Sequence, residues 1–216
     1  MTGQLEQRLR ELRVVPVVQI DDARSAPALG RALAAGGLPV AEITFRTAAA
    51  ADAIRRLHDE CPDVLVGAGT VLSAATVDRA VAAGAAFVVT PGFSPAVVER
   101  CLELGVPVVP GVNSPTQVEQ GLSYGLDLLK FFPAVASGGL PMLRALAGPY
   151  AAVSFMPTGG ITADTAADLL ALPTVAAVGG TWIATAAALR AGRFAEVTAL
   201  ARRAVTLTDP SRTEVA

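Results

Sequence analysis

The chain carries a single lysine, Lys130, against sixteen arginines. That lysine stands in Leu126-Asp127-Leu128-Leu129-Lys130-Phe131-Phe132, an apolar run where a solvated cation has no place. Arginine stays protonated and cannot attack a carbonyl. A desolvated lysine beside another cation gives up its proton more readily and becomes a nucleophile. The setting points to a Schiff-base lysine, with a snorkelling or ion-paired strand lysine as the plainer alternative.

Glu42, Thr44 and Arg46 follow one another at spacings of two, so on a strand they share one face. A carboxylate on that face can move protons as a general base, and a guanidinium can grip a substrate carboxylate with two parallel bonds. A structural Glu42–Arg46 pair satisfying itself is the alternative. Arg46 close to Lys130 would also disfavour the ammonium by like-charge repulsion, joining the two into one mechanism.

Two glycine pairs, Gly159-Gly160 and Gly179-Gly180, close β-like runs near the end of the chain. Bare backbone N–H groups at such turns cradle phosphate, and Thr158 and Thr181 add hydroxyls beside them. Gly67-Ala68-Gly69-Thr70 lacks the full G-x-G-x-x-G pattern, so it is read as a strand end offering the Thr70 hydroxyl and not as a nucleotide loop. His58, among charged neighbours, reads as solvent-facing, and Trp182 as packing. Cys61 and Cys101 lie far apart in apolar helical patterns and read as reduced structural thiols. With one histidine and scattered carboxylates there is no metal ligand set and no Ser-His-Asp group, so neither metal nor cofactor is expected.

Such residues need elements that bring them together. Short β-branched runs alternate with Ala/Leu/Arg stretches of helical period. The strand expectations are Val14–Ile20, Val40–Phe45, Val64–Gly69, Ala86–Thr90, Val106–Pro110, Asp127–Phe132, Val153–Thr158 and Val175–Gly179. Helices are expected over Ala23–Ala35, Ala48–Glu60, Ser73–Ala83 and Ala96–Leu104, with Gly36, Gly84 and Gly105 as C-caps; those after the fifth and sixth strands are the weakest. Eight strand-helix rounds in 216 residues suit a single α/β domain over 1–216, a (β/α)8 TIM barrel, better than a doubly wound sheet of five or six strands. An amphipathic helix over Met1–Arg13 precedes it. In such a barrel the chemistry gathers at the carboxyl ends of the strands.

Composition narrows the function classes. A 52% hydrophobic chain is not disordered, and a net charge of -2 without like-charge blocks offers no face to nucleic acid. Apolar runs are cut before the ~18 residues of a membrane span, and the N-terminus is no secretory signal, so a soluble, cytoplasmic protein is expected.

Taken in order, Val40-Ala41-Glu42-Ile43-Thr44-Phe45-Arg46-Thr47, Val66-Gly67-Ala68-Gly69-Thr70-Val71-Leu72, Thr90-Pro91-Gly92, Val109-Pro110-Gly111, Lys130-Phe131-Phe132-Pro133-Ala134, Pro157-Thr158-Gly159-Gly160-Ile161 and Gly179-Gly180-Thr181-Trp182 resemble the 2-keto-3-deoxy-6-phosphogluconate (KDPG) aldolase family across nearly the whole chain. That family includes enzymes acting on 4-hydroxy-2-oxoglutarate. The resemblance implies a metal-independent class I aldolase, usually a homotrimer, splitting a phosphorylated ketoacid into pyruvate and glyceraldehyde 3-phosphate. By the same resemblance Lys130 forms the Schiff base and Glu42 transfers protons. Arg46 and Thr70 hold the pyruvate carboxylate, while Pro91 and Phe132 line the pyruvate pocket. Thr158, Gly159, Gly160 and Thr181 hold the phosphate, joined by Gly179 and Gly180 from the glycine-turn reading. Thr181 stands where relatives often carry serine, and Thr44-Phe45-Arg46 favours the gluconate over the galactonate branch. A phosphosugar epimerase or isomerase, and a silent phosphosugar-binding barrel, are the competing readings.

Overall fold

The computed structural model describes residues 2–208, so the expected domain over 1–216 runs past the described residues at both ends. Among the described residues nine parallel strands run between helices, except that β5 leads directly into β6: β1 (Val14–Val18), β2 (Val40–Thr44), β3 (Leu65–Gly69), β4 (Phe87–Val89), β5 (Val108–Val109), β6 (Gly111–Val112), β7 (Leu128–Phe131), β8 (Ser154–Phe155) and β9 (Val178–Gly180). The helices are α1 (Thr2–Leu12), α2 (Ala26–Ala35), α3 (Ala50–Glu60), α4 (Ala74–Ala82), α5 (Pro95–Glu103), α6 (Pro115–Ser123), α7 (Gly139–Ala147), α8 (Ala163–Leu170), α9 (Ala186–Arg190) and α10 (Phe194–Thr208).

Strands covered on both faces read as continuous apolar runs, and β1 and β2 are buried at every position. The strands form one six-stranded sheet, β5-β4-β3-β2-β1-β9, and one three-stranded sheet, β6-β7-β8. Only Pro110 separates β5 from β6. Having no N–H, it interrupts the ladder, and its carbonyl instead accepts from the Lys130 amide. At the other side a bridge joins Thr158 to Gly179, and another joins Phe155 to Val175.

Most strand cores fall inside the expected segments, with three corrections. The fifth strand does not end at Pro110 but resumes as β6, paired with β7. The helices after the fifth and sixth strands are not the weakest: α6 and α7 have nine residues each, and the shortest is the five-residue α9. Gly192, at φ +65, ends α9. Gly36 is a right-handed C-cap at φ -81, and the left-handed position belongs to Gly37 at φ +80, whereas Gly84 and Gly105 are left-handed themselves.

Helix α1 buries Leu5, Leu9 and Leu12. Its Gln4, Leu5 and Arg8 share a surface cleft with Leu65, Ala86 and Pro107, residues at the amino ends of β3, β4 and β5. Arg10 donates to Ser154 at the start of β8 and to the Pro173 carbonyl. The helix therefore lies across the end opposite the expected site. Among the described residues no helix is long and apolar enough to cross a membrane.

Candidate active site

Glu42 and Lys130, 88 positions apart, meet on the inner face of the strands, with Lys130 Nζ 3.4 Å from Glu42 Oε1. Register explains the meeting. Val17 pairs with Glu42 and Glu42 with Gly67, while Gly111 pairs with Lys130, and side chains of paired residues in a parallel sheet point to the same face. The pair is sealed from solvent: Glu42 is 0% exposed and Lys130 5%. Lys130 Nζ also lies 5.2 Å from the centre of the Phe132 ring. Among the described residues Glu42 Oε2 has no hydrogen-bond partner, and it is buried.

Glycine makes room for this pair. A Cβ on Gly69 would collide with the Glu42 carboxyl, and one on Gly67 with the Phe87 ring. The Gly67-Ala68-Gly69 run is thus neither a phosphate loop nor a flexible turn; both glycines clear space inside the strand layer. Thr70, immediately after, holds φ +56, a left-handed conformation uncommon for a threonine.

Pro91 touches the backbone around Lys130 indirectly: its carbonyl packs so closely on Gly111 that no Cβ fits, and Gly111 is the ladder partner of Lys130. Phe132, half-buried, lies against Gly159, where a Cβ would stand 3.2 Å from its ring. The Ala134 and Val135 amides donate to the Thr158 and Gly159 carbonyls, docking the turn after β7 on the turn after β8. Thr158 is 5% exposed, and its hydroxyl faces its own strand, 3.4 Å from the Met156 carbonyl.

Arg46 departs from the expected strand position. Strand β2 ends at Thr44, whose hydroxyl donates to the Val18 carbonyl at 3.0 Å, and Arg46 follows in an exposed turn. Neither Glu42 nor Lys130 is its hydrogen-bond or ion-pair partner, so the self-satisfied Glu42–Arg46 pair is replaced by Glu42–Lys130. Arg46 instead lines a cavity of about 220 Å³ with Thr44, Thr181 and Gln19. Gly179 and Gly180 also differ from their reading as turn glycines. Both lie in β9 without positive φ, and their missing side chains admit Thr158 and the ring of Trp182. Gly159 and Gly160 are true left-handed turn residues at φ +101 and φ +76.

The other chemically able residues lie elsewhere. His58 is exposed on α3. Cys61 and Cys101 are free and buried, and burial pushes the Cys101 thiol up to about 12. Among the described residues no three of His, Cys, Asp and Glu gather as a metal-binding group.

Known proteins give the same picture of kinship. Residues 5–200 match the family described as KDPG and KHG aldolase. The chain is 49% identical over 195 residues to the 2-dehydro-3-deoxy-phosphogluconate aldolase of Treponema pallidum, covering 90% of this chain and 93% of that one. Among solved structures it is similar to the Zymomonas mobilis 2-keto-3-deoxy-6-phosphogluconate aldolase with 3-phosphoglycerate, at TM-score 0.89 and 39% identity over the whole of both chains. It is also similar to the Legionella pneumophila KDPG aldolase with pyruvate captured as a covalent carbinolamine, at TM-score 0.88 and 38% identity, covering 91% of this chain and 96% of that one.

Proposed function

Because the chain belongs to the KDPG and KHG aldolase family, we propose that it is a class I aldolase in which Lys130 is the Schiff-base amine and Glu42 the proton carrier. Its reaction cleaves 2-dehydro-3-deoxy-6-phosphogluconate to pyruvate and glyceraldehyde 3-phosphate. Cleavage of 4-hydroxy-2-oxoglutarate to pyruvate and glyoxylate is the second activity of the same site. The observation that carries this reading is the sealed pair itself, an amine 3.4 Å from a carboxylate whose second oxygen has no partner among the described residues.

Attack needs the unprotonated amine, and Glu42 is the base within reach of its proton. Lys130 Nζ adds to the C2 carbonyl, and loss of water leaves an iminium. The C4 hydroxyl proton passes to Glu42 as the C3–C4 bond breaks; its electron pair flows into the iminium, giving an enamine and the free aldehyde. Glu42 returns the proton to C3, and water hydrolyses the iminium to pyruvate and the restored amine. Arg46 and Thr70 hold the carboxylate, and Pro91 and Phe132 wall the pyruvate half. The phosphate lies at the Gly159-Gly160 turn, with Thr158, Gly179, Gly180 and Thr181 around it. Fixing both ends orients the scissile bond. No step calls on a metal or cofactor. The epimerase and silent-barrel readings lack support, since the matching family and the similar proteins are aldolases.

The two sheets are read as one closed (β/α)8 barrel in a single domain, with Pro110 and the Thr158–Gly179 bridge as its seams. A homotrimer in the cytoplasm completes the reading. Exposed Leu72, Leu102 and Leu122 offer apolar surface to neighbouring copies, and light scattering that returns a single chain mass would remove the trimer.

Borohydride reduction in the presence of pyruvate tests the chemistry. The expected result is a stable three-carbon adduct on Lys130, located by peptide mass spectrometry. An adduct elsewhere, or none, ends the Schiff-base assignment.

A further inference from the structure

Inside the cavity that Arg46 shares with Thr181 lies a side chain with no role in the mechanism so far. Gln19 follows β1 by one residue and is half-buried. Val17 pairs with Glu42, so Gln19, two residues on, faces the same side at the mouth of the site, level with Thr44. Around it stand a guanidinium suited to a carboxylate and a threonine assigned to the phosphate end.

Beyond it, the Asp21 carboxylate accepts from Arg190 Nε on α9 at 2.8 Å. The Gln19 amide itself carries both donors and an acceptor with which to meet a neutral group in the cavity.

We propose that Gln19 is a specificity-determining residue of the aldolase, its amide hydrogen-bonding the substrate hydroxyl that neighbours the phosphate. Charged ends of the substrate have charged or backbone partners, whereas a neutral group with both donor and acceptor suits a hydroxyl between them. The inference rests on the aldolase reading above.

Steady-state kinetics with the phosphorylated ketoacid and with 4-hydroxy-2-oxoglutarate, which lacks that hydroxyl, provide the test. In Gln19→Leu the ratio of the two kcat/KM values should shift against the phosphorylated substrate by about tenfold, the effect of one hydrogen bond lost at a built site. An unchanged ratio in an active Gln19→Leu enzyme overturns the inference alone. A wild-type protein that cleaves neither compound overturns the aldolase reading and the inference with it.

Discussion

Glu42 holds its two oxygens in different situations: Oε1 faces the Lys130 amine at 3.4 Å, and Oε2 is buried with no partner among the described residues. A buried acceptor left empty costs about 1–3 kcal/mol, more when charged, so its place in the fold is best explained by what it receives during turnover. Glu42→Gln keeps the shape and removes the base. The variant should still be trapped on pyruvate by borohydride, yet exchange of the pyruvate methyl protons with solvent deuterium should slow by roughly 100-fold or more, followed by proton NMR. Exchange at the wild-type rate would take Glu42 out of the proton transfer. Lys130 and Glu42 were both legible in the sequence, because a charge inside an apolar run is an anomaly that needs no structure to notice. Gln19 was not. Its place in one cavity with Arg46 and Thr181 joins three distant stretches of the chain, and no local pattern reports a cavity of that span.

Elements place these residues, and turns show where periodicity runs out as a guide. Alternating β-branched and Ala-rich runs located nearly every strand core, since burial on both faces leaves a continuous apolar signature. What they could not separate was a glycine required by φ from one required by a neighbour. The Gly159-Gly160 turn belongs to the first kind, and Gly67, Gly69, Gly179 and Gly180 to the second. The distinction has a consequence for the phosphate end. At Gly160 an alanine would pay about 1–2 kcal/mol for the left-handed backbone, and its Cβ would stand 2.9 Å from Val135 on the docked turn. Gly160→Ala should therefore displace the turn, lowering kcat/KM for the phosphorylated substrate by about tenfold. The loss with 4-hydroxy-2-oxoglutarate should be smaller. Equal losses in parallel assays would place the phosphate elsewhere.

At the scale of the whole molecule the strands have two ends with separate duties, and one strand shows both. Leu128 pairs with Ser154, and Lys130, two residues further along β7, shares its face, so the Lys130 amine and the Ser154 hydroxyl lie at different heights of one interior. Ser154 Oγ donates to Glu6 at 2.6 Å and accepts from Arg10 at 2.7 Å, while Glu6 and Arg10 are themselves paired at 2.8 Å. This network fastens α1 across the amino ends of the strands. Removing only the hydroxyl leaves the ion pair intact, so Ser154→Ala should cost about 1–2 kcal/mol, the worth of bonds to charged groups partly recovered by the remaining pair. For a chain of this length that corresponds to a fall in Tm of roughly 2–8 °C, measurable by calorimetry. Below that transition the yield of the Lys130 adduct and the KM for the phosphorylated substrate should match the wild type, because nothing in the network touches the carboxyl-end turns. An unchanged Tm would mean that the hydroxyl does not hold α1 in place. A shifted KM in fully folded protein would mean that the two ends are coupled through the interior, and the division of labour between them would have to be given up.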